Sequence, residues 1–175
     1  GPDGAAWLAQ CEARDGWGRT PAMHAAQQGA VDKMVLLRDA GADMRARWRE
    51  WSMAYWILAS RQPDALRWWL AQSGTDVEEP QGGLGGTPLL LAVENDDVSM
   101  AEVLLQAGAD PHRYNLNQGC PMNSAKRRSM LELLMAHGGD TAHMGRDGAR
   151  IWLGLPRPDG REPGWLVTCT SQEFA

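Results

Sequence analysis

A mainly helical protein built from stacked repeats is the fold class this sequence predicts, and two regularities predict it. The first is a glycine-led, aspartate-ended phrase that occurs four times: Gly41-Ala42-Asp43, Gly74-Thr75-Asp76, Gly108-Ala109-Asp110 and Gly138-Gly139-Asp140. Its aspartates lie 33, 34 and 30 residues apart (76 − 43, 110 − 76, 140 − 110). A period of this size marks an array of small units that bury their apolar faces only against one another. The second is Thr20-Pro21 and Thr87-Pro88, whose prolines stand 22 residues before Asp43 and Asp110 (43 − 21, 110 − 88).

The chemistry of these phrases is local. A threonine hydroxyl accepts an orphan backbone N–H at a helix start, so Thr20 and Thr87 suit an N-cap. Proline suits the next position, where its missing N–H costs nothing. Each of Gly41, Gly74, Gly108 and Gly138 ends an apolar run, where a left-handed residue without a Cβ stops a helix. Each unit therefore reads as cap, short helix, turn, longer helix, glycine stop and an extended loop. In phrase and period the chain resembles the ankyrin-repeat family over roughly Asp15 to Met144. The resemblance implies a helix-turn-helix-loop solenoid of four repeats, 15–47, 48–80, 82–114 and 115–144.

Taken in order, Gly1-Pro2 reads as a protease-cleavage scar, and Asp3 to Cys11 as a capping helix within residues 1–14. An array needs such a cap with one polar face. The first repeat keeps the pattern, with Ala25 and Ala26 in its first helix. Val31, Met34, Val35, Leu36 and Leu37 form the apolar stripe of its second. Met23 stands where the family has histidine, and His24 comes one residue later. The second repeat replaces Thr-Pro by Met53-Ala54; its helices hold Tyr55 to Ala59 and, from Pro63, Leu66, Trp69 and Leu70. Adjacent Trp68 and Trp69 cannot share one face, since neighbours lie about 100° apart.

Gln81 reads as a single inserted residue, and Gly82-Gly83-Leu84-Gly85-Gly86 as a flexible hairpin tip. It lacks the lysine and spacing of a phosphate-binding loop. The third repeat follows the pattern. The fourth has Cys120-Pro121 for Thr-Pro and lacks about three residues near Lys126 to Ser129, which shortens its first helix or turn. In residues 145–175, Ala149 to Leu155 and Gly164 to Thr170 are short apolar runs flanking Pro156-Arg157-Pro158-Asp159-Gly160, a pattern that reads as a capping β-hairpin. A fifth, worn repeat is the alternative.

The net charge of −5 argues against general nucleic-acid affinity. No apolar run has the length of a transmembrane helix. Cys11, Cys120 and Cys169 are odd in number and widely spaced, which favours a reducing, cytoplasmic location over a disulfide framework. His112, Cys120, His137 and His143 have no zinc-finger spacing, so no metal and no cofactor are expected. No nucleophile and base stand at motif distance, and no enzyme is expected; an enzyme with a site in the C-terminal extension is the outlying reading.

Protein binding is the function that the resemblance implies, by a monomer, through a concave groove of hairpin tips and first-helix ends. Mapped onto this chain, those positions are Trp17, Arg19, Arg47, Arg49, Glu50, Arg61, Glu94, Asn95, Tyr114, Asn117 and Arg127, with Leu84 and Leu116 also at tips. Arginine dominates this set, while Asp32, Asp39, Asp64, Glu102 and Glu132 fall on second helices. The expected partner is a protein with an acidic patch. Trp48 and Trp51 either bind it or pack between hairpins. A dedicated inhibitor, such as a bacterial immunity protein neutralising a toxin, is the alternative to a plain interaction module.

Overall fold

A computed structural model describes residues 9–154. Nine α-helices follow one another within that range: α1 (Pro21–Gln27), α2 (Val31–Asp39), α3 (Met53–Ser60), α4 (Pro63–Leu70), α5 (Pro88–Glu94), α6 (Val98–Gln106), α7 (Pro121–Ser124), α8 (Arg128–Ala136) and α9 (Arg146–Leu153). Among the described residues there is no strand; only the bridges Trp48–Trp51 and Gln81–Gly86 have β geometry.

The helix starts follow from the cap chemistry. Thr20 Oγ1 accepts from Met23 N at 3.4 Å and Thr87 Oγ1 from Leu90 N at 3.1 Å, each with proline at the first helical position. Where Thr-Pro is missing, Ser52 caps α3 and accepts from Ala54 N at 3.3 Å. The α2, α6 and α8 stops share one hydrogen-bond pattern. Gly41 N, Gly108 N and Gly138 N donate to Arg38 O, Leu105 O and Met135 O, and the next residue donates to Leu37 O, Leu104 O and Leu134 O. The glycines have φ of 89°, 90° and 95°, the left-handed geometry this motif requires. Gly74 (φ 75°) lies three residues beyond the α4 C-cap, Ala71.

The helices pack in two files. The first helices meet in chain order, α1 with α3, α3 with α5 and α5 with α7; the second helices do the same, α2 with α4, α4 with α6 and α6 with α8. One continuous apolar core runs between the files, from Met23 and Met34 through Ile57, Leu66, Leu89 and Leu104 to Met122 and Leu131. Small residues on α1 (Ala22, Ala25, Ala26) are buried there. In α2 Met34 is buried and Val31 and Leu37 pack half-buried against the core, while Leu36 stays 69% exposed. Apolar side chains at four successive positions, 34–37, spread around the helix and cannot all face one core. Trp69 is buried, while Trp68 is half-buried beside the Arg38 guanidinium, 5.6 Å from its ring.

At the C-terminal end the expected hairpin is corrected. Residues 149–153, placed in its first strand, belong to α9, which ends at left-handed Gly154 (φ 69°). A short apolar run does not distinguish strand from buried helix. Packing does: α9 lies against α7 and α8, with Ile151 and Trp152 on the core and Gly148 beside Met122 O. The second expected strand, 164–170, lies outside the described residues, as does the expected N-terminal helix before residue 9. Residues 9–11 are helical, and Cys11 is buried.

Candidate partner-binding surface

Four loops precede the first helices, and each turns through a left-handed residue near the helix start: Gly18 (φ 85°), Gly85 (63°) and Gln118 (60°) two before the N-cap, and Arg49 (55°) three before it; the third loop also has Gly82 (65°). In the first loop Asp15 Oδ1 accepts from Trp17 N and Arg19 N, both at 2.9 Å. Asn115 repeats this in the fourth, accepting from Asn117 N at 2.9 Å and Gly119 N at 2.8 Å. The second and third loops interlock instead through Gln81. Its Oε1 accepts from Ser52 N at 3.0 Å, and its Nε2 donates to Ser52 Oγ at 2.7 Å; both residues are buried. Gln81 is thus the polar centre of the third loop.

Residues next to these left-handed positions form a row across the loops: Trp17 before Gly18, Glu50 after Arg49, Leu84 before Gly85 and Leu116 two before Gln118. Their carbonyls tie the row together. Trp17 O accepts from Trp48 Nε1 at 2.5 Å, Glu50 O from Gly82 N at 3.0 Å, and Leu84 O from Leu116 N at 3.0 Å. Holding the backbones leaves the side chains outward: Trp17 is 74% exposed, Leu84 50% and Leu116 75%. Tyr114, Glu50 and Asn117 are exposed nearby.

Behind the row lies an aromatic cluster. Trp48 meets Trp56 edge-on with centroids 5.6 Å apart, and Trp51 tilts over Tyr55 at 4.2 Å. Trp48 and Trp51 therefore pack between loops. A Cβ on Gly82 would come within 2.9 Å of the Trp51 ring, and one on Gly83 within 2.8 Å of Glu50 Oε2. The glycines of this tip make room for side chains of the preceding loop, beyond any need for flexibility. Trp56 Nε1 is buried and makes no hydrogen bond among the described residues.

The arginines do not make the face basic. Arg19 pairs with Asp15 at 2.9 Å, Arg47 with Glu79 at 2.6 Å, Arg127 with Asp96 at 2.6 Å, and Arg61 lies 4.0 Å from Asp97. Each of those four carboxylates offsets one arginine of the expected basic groove. Arg47 also donates to Glu50 O and Pro80 O, so it holds two loops together. Arg49 lies over the Trp48 ring at 4.8 Å and has no carboxylate partner among the described residues. Glu94 and Asn95, at the end of α5, are exposed. Lys126 Nζ donates to Glu94 O, which links α5 to the next unit. Asp15, also bonded to Arg19 Nε and His24 Nε2, is held well below the usual carboxylate range, chiefly by the Arg19 backbone N–H.

Apart from this surface, one cluster among the described residues has metal-ligand chemistry. His112, from the loop after α6, meets Asp140 and His143 from the loop after α8, with one ligand atom of each within 4.8 Å of the others.

Comparison with known proteins agrees with the period. The Ankyrin repeat family model matches residues 84–116, from one exposed tip leucine to the next. The chain is 32% identical over 88 residues to palmitoyltransferase ZDHHC13 of Homo sapiens, which is 50% of this chain and 14% of that protein. The Mus musculus counterpart is 31% identical over the same shares. The match to ankyrin repeat and KH domain-containing protein mask-1 of Caenorhabditis elegans is 32% over 131 residues, 74% of this chain and 5% of that protein. The chain thus spans only a small part of the curated relatives it matches.

Proposed function

Since residues 84–116 are an ankyrin repeat, we propose that the chain is a solenoid of four, 15–47, 48–80, 82–114 and 115–144, and serves as a non-catalytic module that binds a protein partner. Residues 1–14 and 145–175 flank the array, and α9, packed against α7 and α8, is its C-terminal cap. The observation that carries this reading is the row of loop tips: three large apolar side chains held outward on a backbone already tied in place. A pre-organised apolar row loses little conformational freedom on binding, which is what a protein interface requires. Trp17 is the anchor, being of a residue type that dominates interface energetics. Arg19, 4.8 Å from its ring, steadies it. The exposed ends of α1, α3 and α5 extend the surface with Gln28, Arg61 and Asn95. Arg49, with no carboxylate partner among the described residues, is the group placed to meet an acidic side chain of the partner, as a local contact rather than by steering.

A purified partner, once captured from the source cell, tests the surface directly. The variant Trp17→Ala/Leu84→Ser/Leu116→Ser should weaken binding at least tenfold, about 1.4 kcal/mol, with its melting temperature near that of the parent. Leu36→Ser, on the exposed side of α2, should bind as the parent does. The opposite pattern would put the interface on the second helices. An inhibitor of a bacterial toxin would use the same tips, and the captured partner's identity separates it from an adaptor.

A further inference from the structure

We infer that His112, Asp140 and His143 form a zinc site that bridges the third and fourth loops after the second helices. Asp140 is its centre. Asp140 Oδ1 lies 2.6 Å from His143 Nδ1 and also accepts from His143 N at 3.1 Å. Its Oδ2 lies 3.8 Å from His112 Nε2, and its backbone N donates to that nitrogen at 3.2 Å. The two imidazoles lie with centroids 4.3 Å apart, tilted 50° to each other. Zinc holds imidazole nitrogen and carboxylate oxygen at about 2.0–2.2 Å, so tetrahedral ligand atoms sit roughly 3.3 Å apart. The observed spacings bracket that value, and small side-chain rotations reach it.

The donor set selects the ion. Two neutral imidazoles and one carboxylate suit zinc and its late first-row neighbours; calcium and magnesium prefer oxygen alone. Three protein ligands leave a fourth position to solvent. Binding asks each histidine for a lone pair. His112 Nε2 has its lone pair on Asp140 N, so zinc replaces that hydrogen bond and leaves the exposed Asp140 N to solvent. His143 supplies the other by moving its proton from Nδ1 to Nε2, a tautomer change with no net charge.

An ordinary structural role accounts for His112. Glu12 Oε1 accepts from Asp43 N at 2.6 Å and Glu78 Oε1 from Asp110 N at 2.7 Å, as His112 does from Asp140 N. His143 closes the single turn that Asp140 caps, and what sets it apart is an imidazole at that position. The residues three after the other aspartates are Ala46, Glu79 and Arg113, and none is an imidazole. The ligands come from loops 28 residues apart (140 − 112), so an ion there ties α8 and the short α7 to the rest of the array.

The test is zinc titration of the full chain by isothermal calorimetry, with thermal melting in parallel. One equivalent should bind, and the melting temperature should keep rising with zinc beyond saturation, by mass action on the folded state. His143→Gln and His112→Gln should each weaken binding at least tenfold. His112→Gln keeps an acceptor for Asp140 N, so its metal-free melting should stay near the parent's. His137→Gln should bind normally. Cobalt in place of zinc should give the visible absorption of a four-coordinate site, lost in His143→Gln. The inference fails if no saturable equivalent binds, if both ligand variants bind as the parent does, or if His137→Gln is the variant that loses zinc.

Discussion

At the scale of single residues, the first loop depends on one carboxylate doing two jobs. Asp15 Oδ1 orders the loop backbone, as the neutral amide of Asn115 does in the fourth loop. Asp15 Oδ2 also holds Arg19 and His24, and that is the part that needs charge. Asp15→Asn should therefore keep the loop and lose the ion pairs. The folded carboxyl titrates below its ordinary 3.8. Its contribution is thus complete above that pH and is lost as pH falls toward the folded value. Denaturation of parent and variant across pH should show the largest stability gap near neutrality, closing in acid. A gap that widens in acid would mean the carboxylate is not stabilising. Asp15 was legible as part of a loop phrase; its four bonds were not, because Arg19 and His24 reach it only once the loop has turned.

At the scale of elements, the aspartate-ended phrases look equivalent, but their glycines meet different surroundings. Gly108 has φ 90° and open space where a Cβ would be, so only backbone strain opposes a side chain there. Gly108→Ala should cost about 1 kcal/mol, the left-handed penalty. Gly139 stands where Ala42 and Ala109 stand in other copies. A Cβ there would come within 2.5 Å of Met122 Sδ and 2.9 Å of Leu134 O. Shortening α7 to four residues brings Met122 against the turn after α8. Gly139→Ala should therefore destabilise by roughly 1–3 kcal/mol through overpacking, although alanine is the repeat's own choice at that position. Chemical denaturation of both variants checks this, and a neutral Gly139→Ala would show that Met122 swings aside freely. The same scale explains α9: its apolar run fits either period, and contact with α7 and α8 selects the helix.

At the scale of the whole molecule, the main contacts among the described helices run between neighbouring units, so stability is distributed along the array and not pooled. The middle helices α3 to α6 have a neighbour on both sides, and α7 is a single short turn. Amide hydrogen exchange should show the slowest protection in α3, α5 and α6 and the fastest opening in α7 and α8. Uniform protection across all of these helices would indicate one cooperative block. What the sequence determined by itself was local: caps at Thr20 and Thr87, left-handed glycines at 41, 108 and 138, the period, and so the mainly helical class. Each is a short-range effect of a hydroxyl, a ring or a missing Cβ on its own backbone. Only the tertiary structure decided the rest, because it depends on which residues some 30 positions apart become neighbours. That is how Glu79, Asp96 and Asp97 offset Arg47, Arg127 and Arg61, how Gln81 comes to lock onto Ser52, and how His112 meets Asp140 and His143.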